Sequence, residues 1–331
     1  MASMDAAVTL SLTGPFARQG RDAAQGLALW AEEAGVRLTV VDDGGARAAA
    51  IRAYTGWLDA GVDLLLGPYS SGLVRAVAPL VCGAGRLLWN HGGSADDLAR
   101  PGLVSLPAPA STYFDGAVDE AVACRVERLL VVRGAGPFAR AVAAGAVARA
   151  AARGLDARTV DAGSPAAGHA AGGAVLVAGR FEEDVALVRL LRRRARGPAV
   201  LGAVAAGLPA FGELGAAAEG VLGPVQWWPV SRTPKVGPSG ADFAARYRRR
   251  VGHEPSYVAA QAAAAGYLAL AAHHLGLAAG DVPAWTTSTL LGDFALDGSW
   301  RQVGHRVTTI RWRDGRMVPL VPGPARTPAS D

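Results

Sequence analysis

Apolar positions fall along this chain in two recurring patterns. Short apolar runs, VTLSL (8–12), RLTVVD (37–42), DLLLGP (63–68), RLLWN (86–90), RLLVV (128–132), ARTVD (157–161), AVLVAG (174–179) and AVLGAV (199–204), read as β-strands. Longer Ala-rich stretches such as RDAAQGLALWAEEAG and RAVAAGAVARAAARG lie between most of them and read as crossover helices. Several of the strands are almost continuously apolar, as strands buried on both faces are. The pattern predicts a parallel α/β architecture.

A repeat sharpens this picture. GPFAR at 14–18 recurs at 136–140, each time after an apolar strand and before an Ala-rich helix. Each copy continues into a further strand with a similar ending, AGVRLTVVDDG at 34–44 and RGLDARTVDAG at 153–163. Both halves therefore open on the same β–loop–α–β unit, which predicts two similar lobes with a crevice between them. The length of 331 residues agrees, since a domain takes roughly 100–200. LPAPAS (106–111), VSRTPKVGPSG (230–240) and DVPAW (281–285) interrupt regular structure. Three such breaks predict a chain that crosses between lobes more than once, as in a hinge.

Composition narrows the class. With 51% hydrophobic and 18% charged residues the chain can bury a sizeable core, which excludes disorder. Cys82 and Cys124 are too few for a disulfide framework or a Cys-rich zinc site. No run reaches the roughly 18 apolar residues of a membrane span, so direct membrane insertion is not expected. The first strand-like run, AAVTLSL, begins almost at Met1, with no basic or apolar export segment ahead of it. A formal charge of +5 and a pI near 9.7 suggest nucleic acid, but the only lysine is Lys235 and the arginines are dispersed. The densest run, RLLRRRARG at 189–197, reads as the solvated face and end of a helix. No nucleic-acid partner is expected.

Five segments, in this order, carry a resemblance: LSLTGPFARQGRDAAQGLALWAEEAG, VDLLLGPYSSGLVRAVAPLV, LLWNHGGSADDL, ADFAARYRRRVGHEPSYVAAQAAAAGYLAL and RQVGHRVTTIRWRDGRMVPLVP. They are similar to the type I periplasmic solute-binding proteins, in particular the leucine/isoleucine/valine-binding branch of ABC-transporter receptors. The resemblance spans nearly the whole chain. It implies two Rossmann-like lobes with parallel sheets, joined by a hinge of several crossovers. The N-terminal lobe would hold 5–108 and about 238–283, and the C-terminal lobe 109–237 and about 284–323, with a tail at 324–331.

The resemblance also implies a carboxylate pocket. Ser70 and Ser71, after Tyr69 in GPYSS, lie at one strand-to-helix turn, and Gly92, Gly93 and Ser94, after His91, lie at a second. Both turns lead into helix N-termini, whose N–H groups and positive dipole end suit an anion. The glycines would let backbone approach the ligand closely, while Ser94 also reads as an N-cap completed by Asp97. Phe16 and Phe138, one from each copy of the repeat, would border the cleft. Trp227 and Trp228 sit at the end of a C-lobe strand, where only one of two neighbours can face the crevice. Tyr113 and Gln261 are weaker candidates. Amino-acid-binding members place an acid near the segment matched by AVLGAVAAGLPAF, yet this chain has Ala203, Ala205 and Ala206 there. A buried ammonium needs a partner. Either another acid substitutes, or the ligand is a carboxylate with an apolar or aromatic body.

Catalytic signals are thin. GAGPFA at 134–139 fits a loose G-x-G-x-x-A pattern and Asp161 ends the next strand, so a dinucleotide-dependent enzyme is one alternative. His273 and His274 are adjacent and His91, His169, His253 and His305 stand alone, which offers no metal-ligand spacing. Asp42–Asp43 and Asp96–Asp97 read as loop solvation and helix-dipole complementarity. No G-x-S-x-G elbow, Walker loop or HExxH occurs. The expected protein is thus a receptor without cofactor or metal, holding a small carboxylate-bearing molecule and serving an ABC permease if exported. A cytoplasmic ligand sensor on the same fold is the other alternative. The resemblance points outside the cytoplasm; a complete N-terminus as written would point inside it.

Overall fold

The first apolar run becomes a central strand of a sheet. In the computed structural model, which describes residues 4–168 and 172–320, the chain opens with five parallel strands. These are β1 (Asp5–Leu10), β2 (Arg37–Asp42), β3 (Leu64–Leu66), β4 (Leu88–Asn90) and β5 (Leu103–Ser105), in the order β2-β1-β3-β4-β5. Helices α1 (Ala17–Ala34), α2 (Arg47–Asp59) and α3 (Ser71–Gly83) supply crossovers. β3 and β4 are buried throughout, while edge strand β2 keeps exposed positions. Between this sheet and its helices Tyr54, Leu65, Val74, Val77, Leu88 and Leu103 form a core.

The second unit repeats the plan. After α4 (Asp115–Ala123) come β6 (Arg128–Arg133), α5 (Pro137–Ala152), β7 (Asp156–Asp161), β8 (Ala174–Ala178), α6 (Phe181–Arg192), β9 (Val200–Ala203) and β10 (Leu222–Val225). The order β7-β6-β8-β9-β10 reproduces the first sheet position for position. The repeated pentapeptide turns into a helix in both places, through a separate 3-10 turn over Gly14–Phe16 in the first copy and directly at Pro137 in the second. Gly14 and Gly136 take left-handed φ values of 76° and 100°, and the following proline opens the next helical turn.

The chain then returns to the first unit with α7 (Gly240–Val251), α8 (Tyr257–His274) and the antiparallel pair β11 (Thr287–Thr289) and β12 (Gly292–Phe294). It ends in the second unit, where β13 (Thr308–Arg313) and β14 (Arg316–Pro319) extend the sheet antiparallel beside β10. The first unit runs to Ala110 and includes Gln226–Val307; the second is Ser111–Val225 with the chain from Thr308. Residues 226–237 and 284–307, expected in the C-terminal lobe, therefore belong with the first unit. Trp227 packs edge-on against Phe243 of α7, the Val236 N–H donates to the Ser288 carbonyl, and Gln302 donates to the Leu106 carbonyl. Of the three expected breaks, only LPAPAS coincides with a passage between units. His169 and the tail 324–331 lie outside the described residues.

Candidate functional site

In a sheet ordered 2-1-3-4-5 the chain winds outward in both directions from the gap between its first and third strands. The loops leaving those strands diverge there, and ligands of parallel α/β sheets bind at such switch points. In the first unit the gap lies between β1 and β3. Phe16 follows β1 and Tyr69 follows β3; their half-buried rings lie 6.1 Å apart, tilted by 56°. Ser70 comes next, half-buried, and caps α3 by accepting the Leu73 N–H at 3.3 Å.

The loop carrying Phe16 is held from beneath by two acids. Asp42 accepts from the Leu12 N–H (2.8 Å), the Thr13 hydroxyl (2.7 Å) and the Gly44 N–H (2.9 Å). The Thr13 hydroxyl is the main reason its carboxyl sits below the usual carboxylate range. Asp43, buried, accepts from the Ser11 hydroxyl at 2.6 Å and the Gly45 N–H at 2.8 Å. Asp42 and Asp43 are thus loop clamps rather than a solvated strand end.

The turn after β4 differs from its expected role. Buried Asn90 accepts the N–H groups of Gly92 (3.2 Å) and Gly93 (2.8 Å) and donates to the Gly93 carbonyl (2.6 Å) and the Ser105 hydroxyl (2.9 Å). The Ser71 hydroxyl accepts the N–H groups of Ser94 and Ala95, both at 3.1 Å. The amides of 92–95, expected to face an anion, therefore point at Asn90 and Ser71. Gly92 is small because a Cβ there would meet the Tyr69 carbonyl oxygen at 2.2 Å, and Gly93 because one would meet Val74 at 2.8 Å. Close packing of the two turns, not approach of a ligand, requires these glycines. Ser71 likewise positions the turn from within. Asn90 went unnoticed in the sequence; a polar residue closing the apolar run RLLWN was its one signal.

His91 is fully buried, and burial lowers its pKa to about 4, so the imidazole is neutral. Ser94 is 6% exposed. The expected cap of Ser94 completed by Asp97 does not form: the short turn Asp96–Leu98 has Ala95 at its N-cap, and Asp97 pairs with Arg75. Trp227 and Trp228 follow the end of β10 instead of lying in it. Trp227 is buried on Phe243, which leaves half-buried Trp228 as the member of the pair able to meet a solute. Gln261 is enclosed in α8 of the first unit.

In the second unit the switch point lies between β6 and β8. Half-buried Phe138 stands there against buried Tyr113, edge-on at 5.3 Å. Ala203, Ala205 and Ala206 are all buried. An acid does lie beneath them: Asp184 of α6, with no exposure, accepts the Ala205 N–H at 3.0 Å. Desolvation raises its pKa to about 8. This carboxyl holds the loop after β9 much as Ser71 holds the loop after β4.

Among the described residues no group of three His, Cys, Asp or Glu side chains is placed to hold a metal. Two units of one topology, each with an aromatic residue at its switch point, define a ligand-binding class of α/β protein. Residues 5–283 match the family described as periplasmic binding protein, and the chain belongs to that family. No curated protein sequence matches it. Among solved structures it is similar to a leucine-binding protein of Thermotoga maritima, with a TM-score of 0.80 and 17% identity over 96% of this chain and 98% of that one. An ABC-transporter solute-binding protein of R. palustris in complex with benzoate has a TM-score of 0.73 and 15% identity, covering 96% of each chain. A branched-chain amino acid transporter substrate-binding protein of Streptococcus pneumoniae in complex with isoleucine has 0.76 and 18%, over 96% of this chain and 100% of that one. At these identities the likeness is one of fold.

Proposed function

We propose that the chain is the solute-binding receptor of an ABC transporter and takes a small carboxylate with an apolar or aromatic body. One observation carries this reading: Phe16 and Tyr69 stand at the first unit's switch point beside the Ser70 hydroxyl and the first turn of α3. A helix N-terminus and a hydroxyl suit a carboxylate, and the rings suit a flat apolar body. Ser94 and half-buried Trp228 are further contacts proposed in the first unit, and Phe138 holds the corresponding place at the second unit's own switch point. Asn90, Ser71 and His91 shape the turn. Asp184 is buried and engaged by Ala205, which favours a ligand without an ammonium. The benzoate in the R. palustris protein has the proposed form, whereas the isoleucine of the S. pneumoniae protein carries an ammonium.

The dinucleotide alternative has less support. Asp161, its ribose-binding candidate, is ion-paired with Arg133, and Pro137 at the start of α5 has no N–H to offer a phosphate. Family membership favours work outside the cytoplasm with a permease as partner. Among the described residues no helix is long and apolar enough to cross a membrane.

Thermal unfolding with benzoate, leucine and NAD tests the reading, since a bound ligand raises apparent stability. Benzoate-like acids should raise Tm, and Ser94→Ala should reduce that shift. Stabilisation by leucine but not by aromatic acids would overturn the ligand class; stabilisation by NAD alone would favour the enzyme.

A further inference from the structure

We propose that the arginine-rich end of α6 is a docking surface for an anionic lipid membrane. The inference concerns the second unit alone and stands apart from the ligand site of the receptor reading.

The run RLLRRRARG closes α6 and forms the turn after it. Arg189, Arg192, Arg193, Arg194 and Arg196 are all exposed, and no Asp or Glu occurs between Asp184 and Glu213. A helix C-terminus carries about half a negative charge, which a single cation balances. Five arginines exceed that need. Arg192 donates to the Ala217 carbonyl at 3.3 Å and to the Glu219 carbonyl. The other four have no ion-pair partner among the described residues. Helix α7 treats its own triplet differently. There Arg248 pairs with Glu254 at 2.7 Å and Arg250 with Glu32 at 3.1 Å, on either side of Arg249. The fold neutralises one arginine triplet and leaves the other bare, although Arg189 and Arg193, four positions apart, repel.

A second segment meets this surface. The Glu219 carboxylate accepts the Asp314 N–H at 3.0 Å, which brings the β13–β14 turn beside the end of α6. Arg313 and Arg316 stand directly opposite each other across that turn, both exposed and again without an ion-pair partner among the described residues. Like charges so placed destabilise a sheet. Against these seven guanidinium groups stand three acids, Glu213, Glu219 and Asp314, which leaves an excess of four positive charges. Glu183 lies about 15 Å away along α6, ten residues before Arg193. Most of the chain's formal charge of +5 is therefore gathered here.

The apolar content selects the partner. Leu190 is 47% exposed and lies three and four positions before Arg193 and Arg194, so it shares their side of the helix end. A leucine among guanidinium groups fits the boundary between lipid phosphates and acyl chains. Single-stranded nucleic acid is held by stacking on aromatic rings, and Trp312, the aromatic residue beside Arg313, is buried.

Co-sedimentation of the full chain with vesicles of phosphatidylcholine, alone or mixed in equal parts with phosphatidylglycerol, tests this at low and physiological salt. The wild type should bind the mixed vesicles only, more weakly at physiological salt. Arg193→Gln, Arg194→Gln and Arg196→Gln combined should reduce partitioning at least about tenfold, since each cation contributes several-fold at an anionic surface. Arg248→Gln, Arg249→Gln and Arg250→Gln combined remove as many arginines from the neutralised triplet and should stay within about threefold. Leu190→Ser should weaken binding by about threefold and leave its salt dependence unchanged. Circular dichroism checks that each variant is folded. Equal binding to both kinds of vesicle, no binding at low salt, or equal losses in the two triple variants would overturn the proposal. Tighter binding to DNA than to the mixed vesicles would overturn the lipid assignment.

Discussion

Asn90 shows how one residue decides what a loop can offer. Its amide takes two N–H groups and supplies two donor contacts, so the turn after β4 is rigid before any ligand arrives. Asn90→Ala leaves several buried polar groups without partners and should cost about 2–4 kcal/mol in urea unfolding, with a matching loss of ligand-induced Tm shift. Unchanged stability would show that the turn is held elsewhere. Asp184 makes a different prediction at this scale. Its folded pKa of about 8 lies above the ordinary value of 3.8, so the unfolded chain ionises first as pH rises. The stability it contributes is complete below about pH 4 and is lost as pH rises through 8. Asp184→Asn keeps an acceptor for the Ala205 N–H and cannot ionise. Its Tm should gain on the wild type from about pH 4 to pH 8 and level off above, and a constant gap across that range would refute the assignment.

Helices α1 and α8 pack through glycine in both directions. A Cβ on Gly26 of α1 would meet the Ala259 carbonyl oxygen at 2.1 Å, and one on Gly266 of α8 would meet the Trp30 ring at 2.3 Å. Gly26→Ala should therefore destabilise by about 1–3 kcal/mol or more, because both obstacles lie in packed structure. Gly56 of α2 has open space around its Cβ position, and Gly56→Ala should stabilise by up to about 1 kcal/mol. Chemical denaturation of the pair checks both signs. Helix α8 also marks the limit of reading elements from pattern. Ala259 through Ala265 are all buried, so it lacks the polar face by which an amphipathic helix is recognised. The eight apolar runs, in contrast, all appear as strands: the inner ones are apolar because they are buried on both faces, and the edge strands β2 and β7, largely exposed, still carry β-branched residues that favour extended chain. β5, β11 and β12 have three residues each, too few to show a period.

For the whole molecule, opposing titrations set the pH of greatest stability. His91 and His305 are buried and neutral, each with its pKa lowered to about 4 by desolvation. Below their unfolded value of 6.5 the unfolded chain binds protons that the folded chain refuses, so stability falls from about pH 6.5 towards 4. Asp184 acts in the other direction over about pH 4 to 8, so the two histidines outweigh it up to about pH 6.5 and it prevails above, which places the maximum near pH 6.5. His91→Leu should flatten the acid side of a Tm-against-pH curve while leaving its alkaline side unchanged. An unaltered acid limb would exclude His91 as a contributor.

By itself the sequence determined the parallel α/β class, the duplicated β–loop–α–β opening and the passage near Ala110, because these follow from periodicity and from turn residues acting over a few positions. It also picked out Phe16, Tyr69 and Ser70, which local order already places at strand ends. Tertiary structure decided the rest. Whether an amide of 92–95 faces solvent or Asn90, whether Ser71 meets a ligand or a neighbouring turn, and which unit holds 226–237 and 284–307 depend on contacts between distant segments. A hydrogen bond or a close approach needs both partners in place, and no spacing along one stretch of chain records the other.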